Sequence, residues 1–149
     1  MAHGSPDHTL LVEQNFAHYV DHVAQGGVIP AHGLVTWTNV LNVDLQGVFG
    51  YCRFWADHQN FAPRITIDGV VVFINSILAL RGGGLWGYSG SGNKYKVTQY
   101  DQVSAVNQFC MYYDEKWGLY IHSNLTVDVH FELPAGLNAT YYVQYKQYV

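Results

Sequence analysis

The sequence predicts an all-β protein: an antiparallel β-sandwich, wound as a jelly roll, with an N-terminal extended arm and one short helix. Three observations carry that expectation. The stretch Arg64–Asn75, RITIDGVVVFIN, reads as a complete β-hairpin about Asp68-Gly69, a pair that tolerates the positive φ a two-residue turn requires. From Leu125 to Leu133, apolar residues alternate with Thr126, Asp128, His130 and Glu132, the pattern of a half-buried strand. Turn residues separate about eight such runs at short intervals, which suits a sandwich or, as the alternative, a barrel.

A chain of 149 residues fits one domain large enough to bury a core without staples. Residues 1–33 read as the arm and short helix, and 34–149 as the sandwich. Charged residues make up only 12%, against about 25% in soluble domains, and aromatics reach 15%. Low charge with many aromatics suits a β protein whose surface is partly covered by neighbours. The net charge of −4 argues against nucleic-acid binding, which needs clustered Lys and Arg. No apolar run approaches the roughly 20 residues needed to cross a bilayer, and no basic segment followed by an apolar one marks a secretory signal. Cys52 and Cys110 match no zinc spacing; they read as small buried hydrophobes, with a disulfide as the alternative.

In chain order, 1–10 (MAHGSPDHTL) has no periodicity and reads as the arm. Leu11–Gln25 is the helix: Phe16, Tyr19, Val20 and Val23 form an i, i+3, i+4, i+7 stripe, and Gly26-Gly27 is its stop. Leu41, Val43 and Leu45 then alternate with polar residues as a strand, and Gly47 and Gly50 interrupt a second run, Val48–Ala56, with a bulge or a bend. In the hairpin, an ideal two-residue turn places Ile67 opposite Val70 and Ile65 opposite Val72. Ile74 follows on that same core side, with Arg64, Thr66, Val71 and Phe73 on the other. Arg81–Asn93, rich in glycine and serine, is a long connection. Val103–Tyr113 and Leu119–Ser123 read as strands about an Asp114–Gly118 turn (DEKWG), Pro134–Asn138 turns the chain again, and Tyr141, Val143, Tyr145 and Val149 share one face of the last strand. The expected core includes Ile65, Ile67, Val70, Val72, Val127, Val129 and Phe131.

Candidate chemistry is sparse. His18 and His22 have the i, i+4 spacing of two ligands on one helix face, yet no third ligand is indicated, so surface histidines and no metal are expected. The glycine-rich loop lacks the Lys-Ser/Thr of a phosphate cradle; its Trp86 and Tyr88 are the candidate binding residues, flat surfaces on a recognition loop. No nucleophile elbow and no activated cysteine occur, so neither catalysis nor a cofactor is expected.

The opening MAHGSPD resembles the start of a group of uncharacterised bacteriophage and prophage structural proteins. The order of a Trp37 strand, a GVFGYCRFWAD strand, an IDG hairpin, a YDEKWGLYI hairpin and a SNLTVDV strand is similar to their C-terminal β-domains. The resemblance implies a virion component of capsid, tail or fibre. Its partners would be further copies of itself and other virion proteins, and host glycan where the surface recognises a receptor. The alternative from another class is a carbohydrate-binding module, for which Trp37, Trp55, Trp86, Trp117 and the tyrosines offer stacking surfaces.

Overall fold

Alternating burial along the chain builds two sheets with a shared core. The structure, a computed structural model, describes residues 19–28, 36–58, 60–80, 95–101, 108–131 and 138–149. These form β1 (Tyr19–Val28), β2 (Thr38–Asp44), β3 (Gly47–Ala56), β4 (Phe61–Ile67), β5 (Val70–Ile74), α1 (Ile77–Leu80), β6 (Tyr95–Asp101), β7 (Gln108–Ile121), β8 (Asn124–Phe131) and β9 (Ala139–Tyr148). One sheet runs β1-β9-β3-β7-β6 and the other β2-β8-β4-β5, with every pairing antiparallel. The chain is an all-β sandwich, as the sequence predicts. The pairs β1–β9, β2–β8, β3–β7 and β4–β5 are those of one long hairpin folded over on itself, and β6 extends the sheet beyond β7. Phe49 and Phe54 from one sheet meet Phe61, Ile65, Val127, Val129 and Phe131 from the other in the core.

The hairpin is present, with one change of register. Asp68 and Gly69 both have positive φ, as the turn demands. Ile67 pairs with Val70, but a bulge between Ile65 and Thr66 on this ladder sets Ile65 opposite Phe73 instead of Val72. The extra residue reverses the parity of the end of β5. Phe73 is therefore buried against Tyr113, Ile74 and Val70 are exposed, and Val72 is only half buried. Of the expected core, Ile65, Ile67, Val127, Val129 and Phe131 are buried and Val70 is not. A second bulge, at Gly50 in β3, falls where the sequence predicts it. It lets Phe49 and then Cys52, Phe54 and Ala56 face inward despite the break in alternation.

Two elements differ in kind from the expectation. From Tyr19 on, the predicted helix is a strand, pairing along its whole length with β9, and Gly26-Gly27 lies inside it instead of ending it. The same residues fit both periods. Sheet pairing and the packing of Ala24 on the core outweigh a weak helical stripe, leaving Val20 and Val23 exposed. Gly26 has its own reason to be glycine: a side chain there would press on the Tyr141 ring. The short helix of the fold is instead α1, where Ser76 Oγ accepts the Ala79 N–H and Ile77 and Leu80 are buried. DEKWG is not a hairpin turn but a wide irregularity within β7, since Leu119 pairs with Phe49 and Asp114 with Tyr51 of the same strand β3. Gly118, with φ of 77°, absorbs that irregularity. At the C-terminal end, Tyr141, Val143 and Tyr145 face the core, whereas Val149 is exposed.

The turn aspartate also ties the sheets together. Asp68 accepts hydrogen bonds from the backbone N–H groups of His122, Ser123 and Asn124 and from Ser123 Oγ, at 2.8–3.0 Å. The β4–β5 turn is thus clamped to the β7–β8 crossover. The His122 and Asn124 N–H groups, followed by those of Ser123, hold the Asp68 carboxyl well below the usual carboxylate range.

Candidate functional site

Among the described residues, the side chains that can bind something lie on the outer faces of the two sheets, and each face carries one arginine. On the β2-β8-β4-β5 sheet the arginine is neutralised. Arg64 places Nη2 3.0 Å and Nε 3.3 Å from Asp128 Oδ2, and its guanidinium lies 4.3 Å from the centre of the Trp37 ring. Asn39 donates to the second oxygen of Asp128 at 3.0 Å, and Trp37 also covers His130, with ring centroids 4.9 Å apart. Asp128 and His130 are both buried although they sit on the outward face of β8. Trp37 acts here as a lid that dries an ion pair and so strengthens it. Further along the same face, Asn124 Nδ2 donates to Asn42 Oδ1 and Asp44 Oδ1, both at 2.8 Å. The Arg64–Asp128–Asn39 and Asn124–Asn42–Asp44 groups satisfy one another, whereas His130 Nδ1, buried beneath Trp37, has no hydrogen-bond partner among the described residues.

The face of β1-β9-β3-β7-β6 is different. On β3, Tyr51, Arg53 and Trp55 alternate outward between the buried Cys52 and Phe54. The register puts Arg53 beside Tyr142 and Trp55 beside Thr140 on β9, and Gln25 of β1 beside Tyr142. Gln25, Gly26, Arg53, Trp55, Thr140, Tyr141 and Tyr142 line an open cleft of about 450 Å³. The Arg53 guanidinium lies 5.3 Å from the centre of the Tyr142 ring, and Tyr51 meets that ring edge-on at 6.2 Å. Gln144 donates to the Tyr142 hydroxyl at 2.9 Å, which fixes the ring. Arg53 Nε is buried and has no hydrogen-bond partner. This cleft joins aromatic surface, a cation with no counter-ion among the described residues, an amide and a hydroxyl, the donor set of a polar-ligand site.

The residues singled out from sequence fall elsewhere or outside view. Trp86 and Tyr88, the arm and His18 lie outside the described residues. His22 is on a strand and stacks on Tyr145 at 5.2 Å, so the helical premise of the His18/His22 spacing does not hold. Among the described residues no three His, Cys, Asp or Glu side chains converge, and no helix is long and apolar enough to cross a membrane. Cys52 pairs with Tyr113 and Cys110 with Trp55 in the β3–β7 ladder. That offset separates the two α-carbons by roughly 11 Å, beyond the roughly 7 Å limit of a disulfide. Of the four tryptophans, Trp55 lines the cleft and Trp37 caps the ion pair. Sequence reading missed Arg53, although a lone arginine alternating with Tyr51 and Trp55 in an apolar strand was the available signal. No family model and no curated protein matches this chain.

Proposed function

We propose that the chain is a virion structural protein of capsid, tail or fibre type that acts by homo-oligomeric assembly. The observation that carries this reading is the exposed edge strand β5. Among the described residues it pairs only with β4, so one side of its backbone is left unpaired by the sheet. Val70 is 64% exposed and Val71 48%, and Ile74 and Leu78 are exposed beside them. No Asp, Glu, Lys or Arg occurs from Gly69 to Leu80. Edge strands of monomers are usually blunted by charge, proline or a covering loop, and β5 carries no charge or proline. A second copy of the chain, adding its own edge here, would cover that apolar surface and pair the open backbone groups. The strand order, which we read as a jelly roll with β6 added at one edge, supports the same conclusion, because that winding serves capsid and lectin domains. So does the resemblance of the sequence to phage structural proteins.

A second reading, saccharide recognition, is favoured by the Arg53–Trp55–Tyr142 cleft, and the two are compatible in a receptor-binding virion protein. Light scattering and negative-stain microscopy of the full chain separate them. A trimer, ring or larger particle supports assembly, whereas a monomer that binds saccharide supports a recognition module and overturns the structural role.

A further inference from the structure

We propose that the outer-face cleft of the five-stranded sheet binds an acidic saccharide, a sugar ring bearing one carboxylate, with Arg53 as the residue that receives the carboxylate. The inference rests on the recognition reading above and not on the assembly reading. Its first support is the contrast between the two arginines. Arg64 has its charge met by Asp128 and its face covered by Trp37, while no carboxylate among the described residues is paired with Arg53. The Arg53 side chain is nevertheless held in place, packed against Tyr142 with Nε shielded from water. A pre-positioned guanidinium fork with no counter-ion among the described residues matches the geometry of a carboxylate.

The second support is what surrounds it. Trp55 and Tyr142 supply aromatic surface of the kind on which the apolar face of a pyranose stacks, and Gln25 and Thr140 supply an amide and a hydroxyl for its hydroxyl groups. A volume of about 450 Å³ suits one or two sugar rings and lies within the usual range of small-ligand sites. Charge decides the class. Lys146 on β9 is engaged with Asp21 at 3.7 Å, so among the described residues the cleft offers a single positive charge, and the chain as a whole is negative. A phosphorylated ligand with two charges would be poorly matched. A neutral sugar would leave the guanidinium uncompensated.

The test is titration of the full chain with sodium glucuronate, glucose and acetate, followed by amide NMR. Glucuronate should shift the backbone signals of Gln25, Arg53, Trp55 and Thr140, and bind at least about tenfold more tightly than glucose or acetate. Arg53→Gln should lose about tenfold or more in glucuronate affinity while keeping the parental melting temperature. Should that variant not fold, Arg53→Lys keeps the charge without the fork and should still lose several-fold. Equal binding of glucuronate and glucose, unaffected by either Arg53 variant, would overturn the acidic class and leave saccharide recognition standing. Equal binding of acetate and glucuronate would reduce the cleft to a bare anion site and overturn the saccharide. No binding of any of the three, or shifts confined to other residues, would overturn the site and the recognition reading together, without bearing on oligomeric mass.

Discussion

Replacing Phe73 and Ile74 by alanine, one at a time, tests the bulge that distinguishes this fold from its ideal hairpin. Phe73 is 3% exposed and stacks on Tyr113 with centroids 4.6 Å apart. Its truncation removes a buried ring and leaves a cavity between the sheets, at a cost of about 4 kcal/mol. Ile74 is 50% exposed, so its truncation gives up only partial burial, about 1 kcal/mol. For a chain of this length the two changes lower Tm by roughly 12 °C and 3 °C. Urea unfolding followed by tryptophan fluorescence, at one fixed protein concentration and with a common m value, reads both differences. If Ile74→Ala proves the more destabilising, β4 and β5 pair without the bulge and the described face of β5 is wrong.

Other substitutions test separate parts of the account. Asp68→Asn keeps a residue that tolerates positive φ but removes the carboxylate that clamps the β7–β8 crossover, so stability at pH 7 should fall. Because the folded-state pKa of Asp68 is depressed, its contribution is full above the unfolded-state value of about 4 and is lost as pH falls below it. The urea midpoint of the parent should therefore decline more steeply than that of Asp68→Asn between pH 5 and pH 2, and equal slopes would remove the clamp. Asp128→Ala should cost about 2–3 kcal/mol by leaving Arg64 uncompensated beneath Trp37, less than for a sealed ion pair because Arg64 keeps some water; a change below about 0.5 kcal/mol would mean that the pair contributes nothing. Gly47→Ala would drive a methyl group into the Lys146 carbonyl of β9, and a loss of about 2 kcal/mol or more in chemical unfolding is expected.

Much of the fold is written locally, and the parts that are not share a cause. Leu125–Phe131 and the Asp68-Gly69 turn are legible because alternation and turn chemistry act between near neighbours. The identity of β1 is not. Tyr19–Val28 becomes a strand through pairing with residues at the far end of the chain, and its own pattern satisfies a helix about as well. The bulge opposite Ile65 is equally silent, since nothing in VVVFI tells Phe73 from Ile74 until Tyr113 and the second sheet are in place. The candidate site shows the same limit. Trp55 was legible as a stacking surface, but its meeting with Arg53, Gln25, Thr140 and Tyr142 is a product of register between three strands. The Arg64–Asp128 pair likewise depends on the β4–β8 register, which sets those two residues directly opposite each other.

We propose that copies of this chain assemble through the uncharged edge of β5. Sedimentation velocity of the full chain at micromolar concentration, run beside Val71→Lys, tests it most directly, because a lysine on an edge strand blocks strand addition at little cost to a monomer. A trimer or larger species is expected for the parent, and a shift to lower mass for Val71→Lys, with the variant still folded by circular dichroism. A parent that sediments as a single monomeric species would contradict it.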